Sequence, residues 1–401
     1  MKIYDVLIIG AGPSGSIASA ILHKENLDIL CIEKDNFPRF VIGESLLPNC
    51  MTYLQEAGFL EAVESSGYQY KNGAAFSYKN KYTYFDFCDK STNGFGTTFQ
   101  VKRADFDKLL VDEAIKQGVN VRFNTAVIDV EFKQDYVDVL LNNNEKIRTK
   151  FIIDASGYGR VLPRLLNLEI KSELSAKKAY FTHIVDNINE PLYDRNKILI
   201  TTHPDNKQVW FWLIPFIDGT CSVGVVGEDR FLDLNLNDKD ILIKHVYDTP
   251  MLSRLLKNAK WTKDVKTICE YSKNVSSLYG DRFILLGNAG EFLDPVFSSG
   301  VTIALHSACL GAKLVAKSLK GKSVDFKKEY QDELMIGINA FRTYVNGWYD
   351  GVFQDIIYSV DKNHTIKRKI SAILAGYAWD KTNPYVTKSK QALESIYEYI
   401  K

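Results

Sequence analysis

Apolar positions along the chain fall into runs of three kinds, and each predicts a different element. Residues 4–9 and 27–32 are almost continuously apolar, as expected of strands covered on both faces of a parallel sheet. Between them, residues 13–24 place small side chains (Ser16, Ala18, Ser19, Ala20) where a helix would turn toward that sheet. The chain therefore opens on a strand–helix–strand unit. Helical spacing returns at 50–58, 60–65 and 103–117. Alternation predicts a hairpin over 76–87 and strands over 121–132, 136–140 and 147–153, with an Asn-Asn-Asn-Glu turn before the last. From 172 to 278 the pattern is mostly that of strands. Residues 282–286 form one more buried strand, and from 301 onward the chain is helical and rich in aromatics.

These elements predict an α/β fold in three parts. A Rossmann-like domain is assembled from residues 1–171 and 279–330. An antiparallel-β substrate domain is inserted at 172–278, and residues 331–401 form a helical C-terminal region. The length of 401 residues suits more than one lobe. No apolar stretch is expected to span a membrane. The initial apolar run is short and leads directly into a glycine motif, which is the pattern of a buried strand rather than a signal peptide.

Composition changes this picture little. Lys and Arg number 50 and Asp and Glu 49, so a basic nucleic-acid footprint is not expected. The six cysteines include no C-x-x-C pair and the six histidines are dispersed. No metal site is expected, and the thiols suit a reducing cytoplasm.

Candidate chemistry begins at Gly10-Ala11-Gly12-Pro13-Ser14-Gly15, which reads G-x-G-x-x-G between the first strand and the first helix. The first glycine permits a tight turn, the second lets the backbone approach a pyrophosphate, and the third lets helix and strand pack closely. Phosphates then meet the helix N-terminus. Glu33, at the end of the second strand, is placed to accept from ribose hydroxyls, with Lys34 beside it. In Val209-Trp210-Phe211-Trp212-Leu213-Ile214-Pro215, strand periodicity puts Trp210 and Trp212 on one face, and Phe211 and Leu213 on the other. Core packing alone would account for that pattern.

Three further stretches carry a family resemblance. Gly287-Asn288-Ala289, followed by Asp294-Pro295 and small residues, resembles the second flavin-binding motif of the FAD-monooxygenase superfamily, with Asn288 where members usually carry Asp. Arg103, in a Val-Lys-Arg-Ala-Asp-Phe stretch, matches that family's arginine near the cofactor; as a residue read alone it is also a plausible surface helix start. Arg39-Phe40-Val41-Ile42-Gly43-Glu44-Ser45 reads R-x-x-x-G-E-S and resembles the loop over the isoalloxazine in flavin-dependent halogenases. The W-x-W-x-I-P of 210–215 resembles their signature. The resemblance runs from residue 1 to about 350. It implies FAD as cofactor, held also by Pro295, Ser299, Gly300 and Val301, with backbone N–H groups of Ser299 and Gly300 holding a halide.

The same resemblance implies a reaction. Reduced FAD, O2 and halide give hypohalous acid, which a lysine directs at an electron-rich aromatic ring, free or tethered to a carrier protein. A separate flavin reductase supplies the reduced FAD. Lys71-Asn72-Gly73-Ala74-Ala75-Phe76 matches the family's K-x-G-x-x-F, so Lys71 takes that role; a solvated lysine is the plain alternative. Trp210 and Trp212 would wall the flavin off from the substrate. The run Val296-Phe297-Ser298-Ser299 is closer to halogenases of phenolic, pyrrolic or carrier-tethered substrates than to those of free tryptophan. Two other classes stay open: an FAD-dependent monooxygenase or a geranylgeranyl-reductase-like dehydrogenase, and a flavin-free binding module of the same fold. The intact phosphate fingerprint argues against the last. The aromatics Trp348, Tyr349, Phe353 and Tyr358 read as packing.

Overall fold

The computed structural model describes residues 2–172, 174–191, 193–269, 272–359 and 363–401. Glu173, Leu192, Glu270 and Tyr271, inside the segment expected to be β-rich, lie outside the described residues.

Two large sheets organise the chain. In the first, the strands run in the order Tyr279–Gly280, Phe283–Leu285, Lys146–Asp154, Ile3–Ile9, Ile29–Ile32, Val121–Arg122. Every pairing in this order but the first is parallel, with Ile9 level with both Ile32 and Asp154, and Asp154 level with Leu285. Gly10, Glu33, Ala155 and Leu286 therefore leave the sheet together at the carboxyl ends of its strands, where open parallel sheets bind ligands. Helix Pro13–Lys24 packs on this sheet and against the long helix Ser299–Leu319.

The second sheet has seven strands, in the order Lys266–Cys269, Lys178–Val185, Thr220–Gly227, Trp210–Pro215, Lys197–Thr202, Gly73–Tyr78, Lys81–Asp86. Its inner face carries Ile198, Ile200, Trp210 and Trp212 into the main core. Its outer face carries Leu199, Phe211, Leu213, Val223 and Val225 into a smaller core under helices Asp238–Tyr247 and Pro250–Leu255. The helices Glu333–Tyr349, Val352–Ile357, His364–Leu374 and Ser389–Ile400 close the C-terminal side.

Four expectations are corrected. Among the described residues the segment 172–278 holds two α-helices, Asp238–Tyr247 and Pro250–Leu255; Asn237 accepts from the N–H of Asp240, and Ile241, Leu242, His245 and Val246 bury one helical face. The second sheet is not confined to that segment, because the 73–86 hairpin joins it through a parallel pairing of Gly73–Tyr78 with Lys197–Thr202. The expected strand over 121–132 is two strands, Val121–Arg122 and Val127–Phe132. Between them Asn124 takes a left-handed conformation (φ 53°), and the chain passes from the parallel sheet to an antiparallel extension. Finally, Ser299–Leu319 is long and apolar enough to cross a membrane, against the expectation that no stretch would be. Here 72% of its apolar window is buried, packed on helices Pro13–Lys24 and Asn49–Ala57.

Candidate cofactor and active site

A cavity of about 470 Å3 opens at the carboxyl ends of the parallel strands and runs to the inner face of the second sheet. One end is the phosphate turn. Gly10 has φ 96°, and a Cβ there would stand 2.7 Å from the carbonyl oxygen of Ala155. A Cβ on Gly15 would stand 1.8 Å from the carbonyl oxygen of Gly10, so the helix lies directly against the turn. Gly10, Gly12, Pro13 and Ser14 line the cavity; Gly15 does not, because its part is packing. The Glu33 carboxylate also lines it, accepting from the N–H of Ala11 (2.9 Å) and of Asp35 (3.1 Å) and so joining the second strand to the turn. Lys34 and Arg39 complete this end. The Arg39 guanidinium lies 3.7 Å from Glu33 and 3.4 Å from Asp107, above the ring of Phe37.

Arg103 is buried rather than a surface helix start. Its guanidinium holds Asp107 through two bonds (2.6 and 3.0 Å) and donates to the carbonyl of Ile42 at 3.0 Å. Arg103 thereby anchors the Gly43-Glu44-Ser45 loop along the cavity wall. Glu44 is 1% exposed, accepts from His183 Nε2 at 2.8 Å through Oε1, and leaves Oε2 without a partner.

The far wall is the Trp pair. Trp210 and Trp212 line the cavity, with ring centroids 6.0 Å apart, and both are buried. Burying an indole contributes on the order of 4–6 kcal/mol by area, so packing is part of their role. It does not explain why both face the cavity. The Trp212 indole lies over Gly224, where a Cβ would fall 2.4 Å from the ring, and its N–H donates to Ser222 at 3.0 Å. The Trp210 N–H donates to the Tyr349 hydroxyl (2.8 Å), which donates to Asp294 (2.7 Å). Asp294 in turn accepts from the N–H of Val296 at 3.1 Å. Tyr349, which the sequence placed among packing aromatics, thus fixes one indole. Tyr349→Phe is expected to destabilise the fold by about 1–2 kcal/mol in urea denaturation, by removing both hydroxyl bonds.

The remaining wall is the turn 295–301. Pro295, Ser298, Gly300 and Val301 line the cavity, together with Asn288, whose carbonyl accepts from Arg160 at 3.0 Å. Ser299 is buried and does not line it. Ser298 is left-handed (φ 56°) at the start of Ser299–Leu319, whose first N–H groups have no acceptor within the helix. Arg160 also donates to the carbonyls of Gly290 and Asn274, tying residues 288–290 to the short strand Asn274–Val275. Arg160 and the cavity-lining Tyr158 sit in Asp154-Ala155-Ser156-Gly157-Tyr158-Gly159-Arg160, the stretch that leaves the end of strand Lys146–Asp154.

Lys71 does not line the cavity. It ends a short strand, Gln69–Lys71, paired with Thr98–Gln100, and it is fully buried behind the loop. Its ammonium donates to Ser45 Oγ (2.8 Å) and the Leu46 carbonyl (2.7 Å), and lies 5.4 Å from the centre of the Phe87 ring. Burial pushes its pKa from 10.5 down to about 7. The alternative of a solvated lysine is excluded. Among the described residues no cluster suited to a metal ion is present.

The cavity fits FAD. Gly10 and Gly15 of its turn admit no Cβ, a carboxylate, a lysine and an arginine (Glu33, Lys34, Arg39) line it with that turn, and two indoles and a helix start line the same cavity. Comparison with known proteins agrees. The family model described as "FAD binding domain" matches residues 3–325. The 1H-pyrrole-2-carbonyl-[peptidyl-carrier protein] brominase of Pseudoalteromonas luteoviolacea is 29% identical over 364 residues, covering 86% of this chain and 83% of its own. The tryptophan 2-halogenase of Chondromyces crocatus is 30% identical over 328 residues, covering 79% and 62%. Among solved structures, a flavoprotein/dehydrogenase from Cytophaga hutchinsonii is 41% identical with TM-score 0.94, covering 99% of this chain and 98% of its own. A flavin-dependent brominase is 26% identical with TM-score 0.85, covering 99% of both chains. The chain belongs to the FAD binding domain family, and it is an FAD-dependent oxidoreductase.

Proposed function

We propose that the chain is a flavin-dependent halogenase. Bound FAD supplies two-electron redox chemistry: overall, reduced FAD, O2, halide and a proton give oxidised FAD, hypohalous acid and water. The chain's own residues divide the space in which this happens. Trp210 and Trp212 keep organic molecules from the flavin. The helix start at 298–301 offers free N–H groups to a halide beside it, with Ser298 and Gly300 at the cavity wall. Lys71, outside that compartment, receives the oxidant and aims it at an electron-rich ring.

The observation that carries this reading is Lys71. An amine with no exposure and a pKa near 7 is partly neutral at physiological pH, and only the neutral amine has a lone pair for an electrophilic halogen. Its bond to Ser45 puts it one side chain from the cavity. The substrate in this reading is a small aromatic or a carrier-tethered one, as the name of the pyrrole brominase relative suggests. A separate reductase supplies reduced FAD. All six cysteines are unpaired, which suits the cytoplasm.

The test is to mix the reduced holoenzyme with O2 and chloride or bromide and trap hypohalite with monochlorodimedone. Halogenated trap is expected; H2O2 alone with either halide would sink the reading. A second reading, an FAD-dependent dehydrogenase, is favoured by the 41% identical flavoprotein/dehydrogenase. It requires an organic substrate to reduce the flavin without O2, which the Trp wall opposes.

A further inference from the structure

We infer that Glu44, oriented by His183, is the hydrogen-bond acceptor for a ring N–H of the bound flavin, and that its negative charge holds down the flavin's reduction potential. The inference rests on FAD binding alone and stands under either reaction above.

Three observations carry it. First, the cavity has a direction. Glu33 is bonded to Ala11 of the glycine turn and Arg39 lies beside Glu33; Glu44 is joined through His183 to the sheet that carries Trp210 and Trp212, and a Cβ on Gly43 would lie 4.0 Å from Val301, so the flavin ring belongs on this second side. Second, the Glu44 carboxylate is half satisfied. A carboxylate oxygen can only accept, so His183 Nε2 is the donor to Oε1, while Oε2 of this cavity-lining residue is buried with no donor. Leaving such an oxygen desolvated costs about 1–3 kcal/mol, which a ligand N–H would relieve. The isoalloxazine carries a ring N–H on its pyrimidine edge in both oxidation states. Third, the neighbouring charges do not take that place. Arg103, from helix Arg103–Lys116, spends two of its bonds on Asp107 and reaches the loop through the Ile42 carbonyl. Lys71 reaches the loop through Ser45 and Leu46. From strand Lys178–Val185, His183 holds only Oε1, its ring lodged between Phe40 and Phe216 at centroid distances of 5.9 and 5.3 Å.

An anion beside the pyrimidine edge opposes the negative charge that two-electron reduction builds there. Removing it makes reduction easier. The test is dye-equilibrated redox titration of the FAD-loaded protein with Glu44→Gln and Glu44→Asp. In Glu44→Gln the midpoint is expected to move positive by about tenfold in the redox equilibrium (~30 mV for a two-electron couple). Glu44→Asp keeps the charge and should stay near wild type. If Glu44→Gln fails to retain FAD while Glu44→Asp retains it, the carboxylate is still identified as a flavin contact. A Glu44→Gln protein that holds FAD at the wild-type potential overturns the inference. Loss of FAD from both variants also overturns it, because position 44 would then serve only the loop's packing.

Discussion

Gly15→Ala is expected to yield protein that is purified without FAD. The added methyl would stand 1.8 Å from the Gly10 carbonyl oxygen, which is backbone and has no rotamer to yield. The helix must slide or the turn must open, and either displaces the N–H groups that would face the pyrophosphate. Overpacking of this kind costs about 1–3 kcal/mol in stability. The loss in affinity is larger, because every phosphate contact moves together. Flavin absorbance of the purified protein and calorimetric FAD titration check it: at least a 100-fold weaker Kd is expected, and wild-type FAD content would refute the packing argument. Gly12→Ala, whose Cβ would meet only the end of Arg39 at 3.4 Å, should be far milder.

Lys71→Met is expected to lower halogenation of an electron-rich aromatic by about 100-fold or more, with hypohalite formation from reduced FAD persisting. The two outputs separate because Lys71 lies outside the flavin cavity. Loss of both together would place the lysine in the flavin half of the reaction instead. The same substitution carries a stability prediction. A lysine whose pKa drops from 10.5 to about 7 on folding binds fewer protons folded than unfolded between those values. Wild-type stability should therefore rise with pH from about 7 to 10.5, a linkage on the order of 5 kcal/mol. Below pH 7 the burial penalty is fully present. In Lys71→Met, which fills a similar volume without a charge, that rise should vanish from pH-dependent urea titrations.

The sequence revealed different amounts of the site for physical reasons. The phosphate turn was legible because its glycines answer to local backbone geometry. The Trp pair was legible as a strand face because strand periodicity is strict, and its outer partners Phe211 and Leu213 do fall in the other core. Lys71 could be named only through family likeness; whether it was solvated depended on Ser45, Leu46 and Phe87, all distant in sequence or on other elements. The Glu44–His183 and Trp210–Tyr349 bonds span 139 residues each, and no local pattern announces them. The helices of 238–255 were missed even though Asn237 and the Asp238–Asp240 turn are a readable start signal, because the surrounding strand-like runs outweighed them.

The parallel pairing of Gly73–Tyr78 with Lys197–Thr202 has a consequence during synthesis. Once residues 73–86 have emerged from the ribosome, the inner edge of that hairpin has no neighbour. Its partner begins at Lys197, roughly 110 residues later, a wait of about 6–20 s at bacterial or eukaryotic elongation speeds. Throughout that interval the nascent chain displays open backbone groups next to Ala74 and Phe76. Chaperone capture, or aggregation when capture is absent, should therefore concentrate on that hairpin.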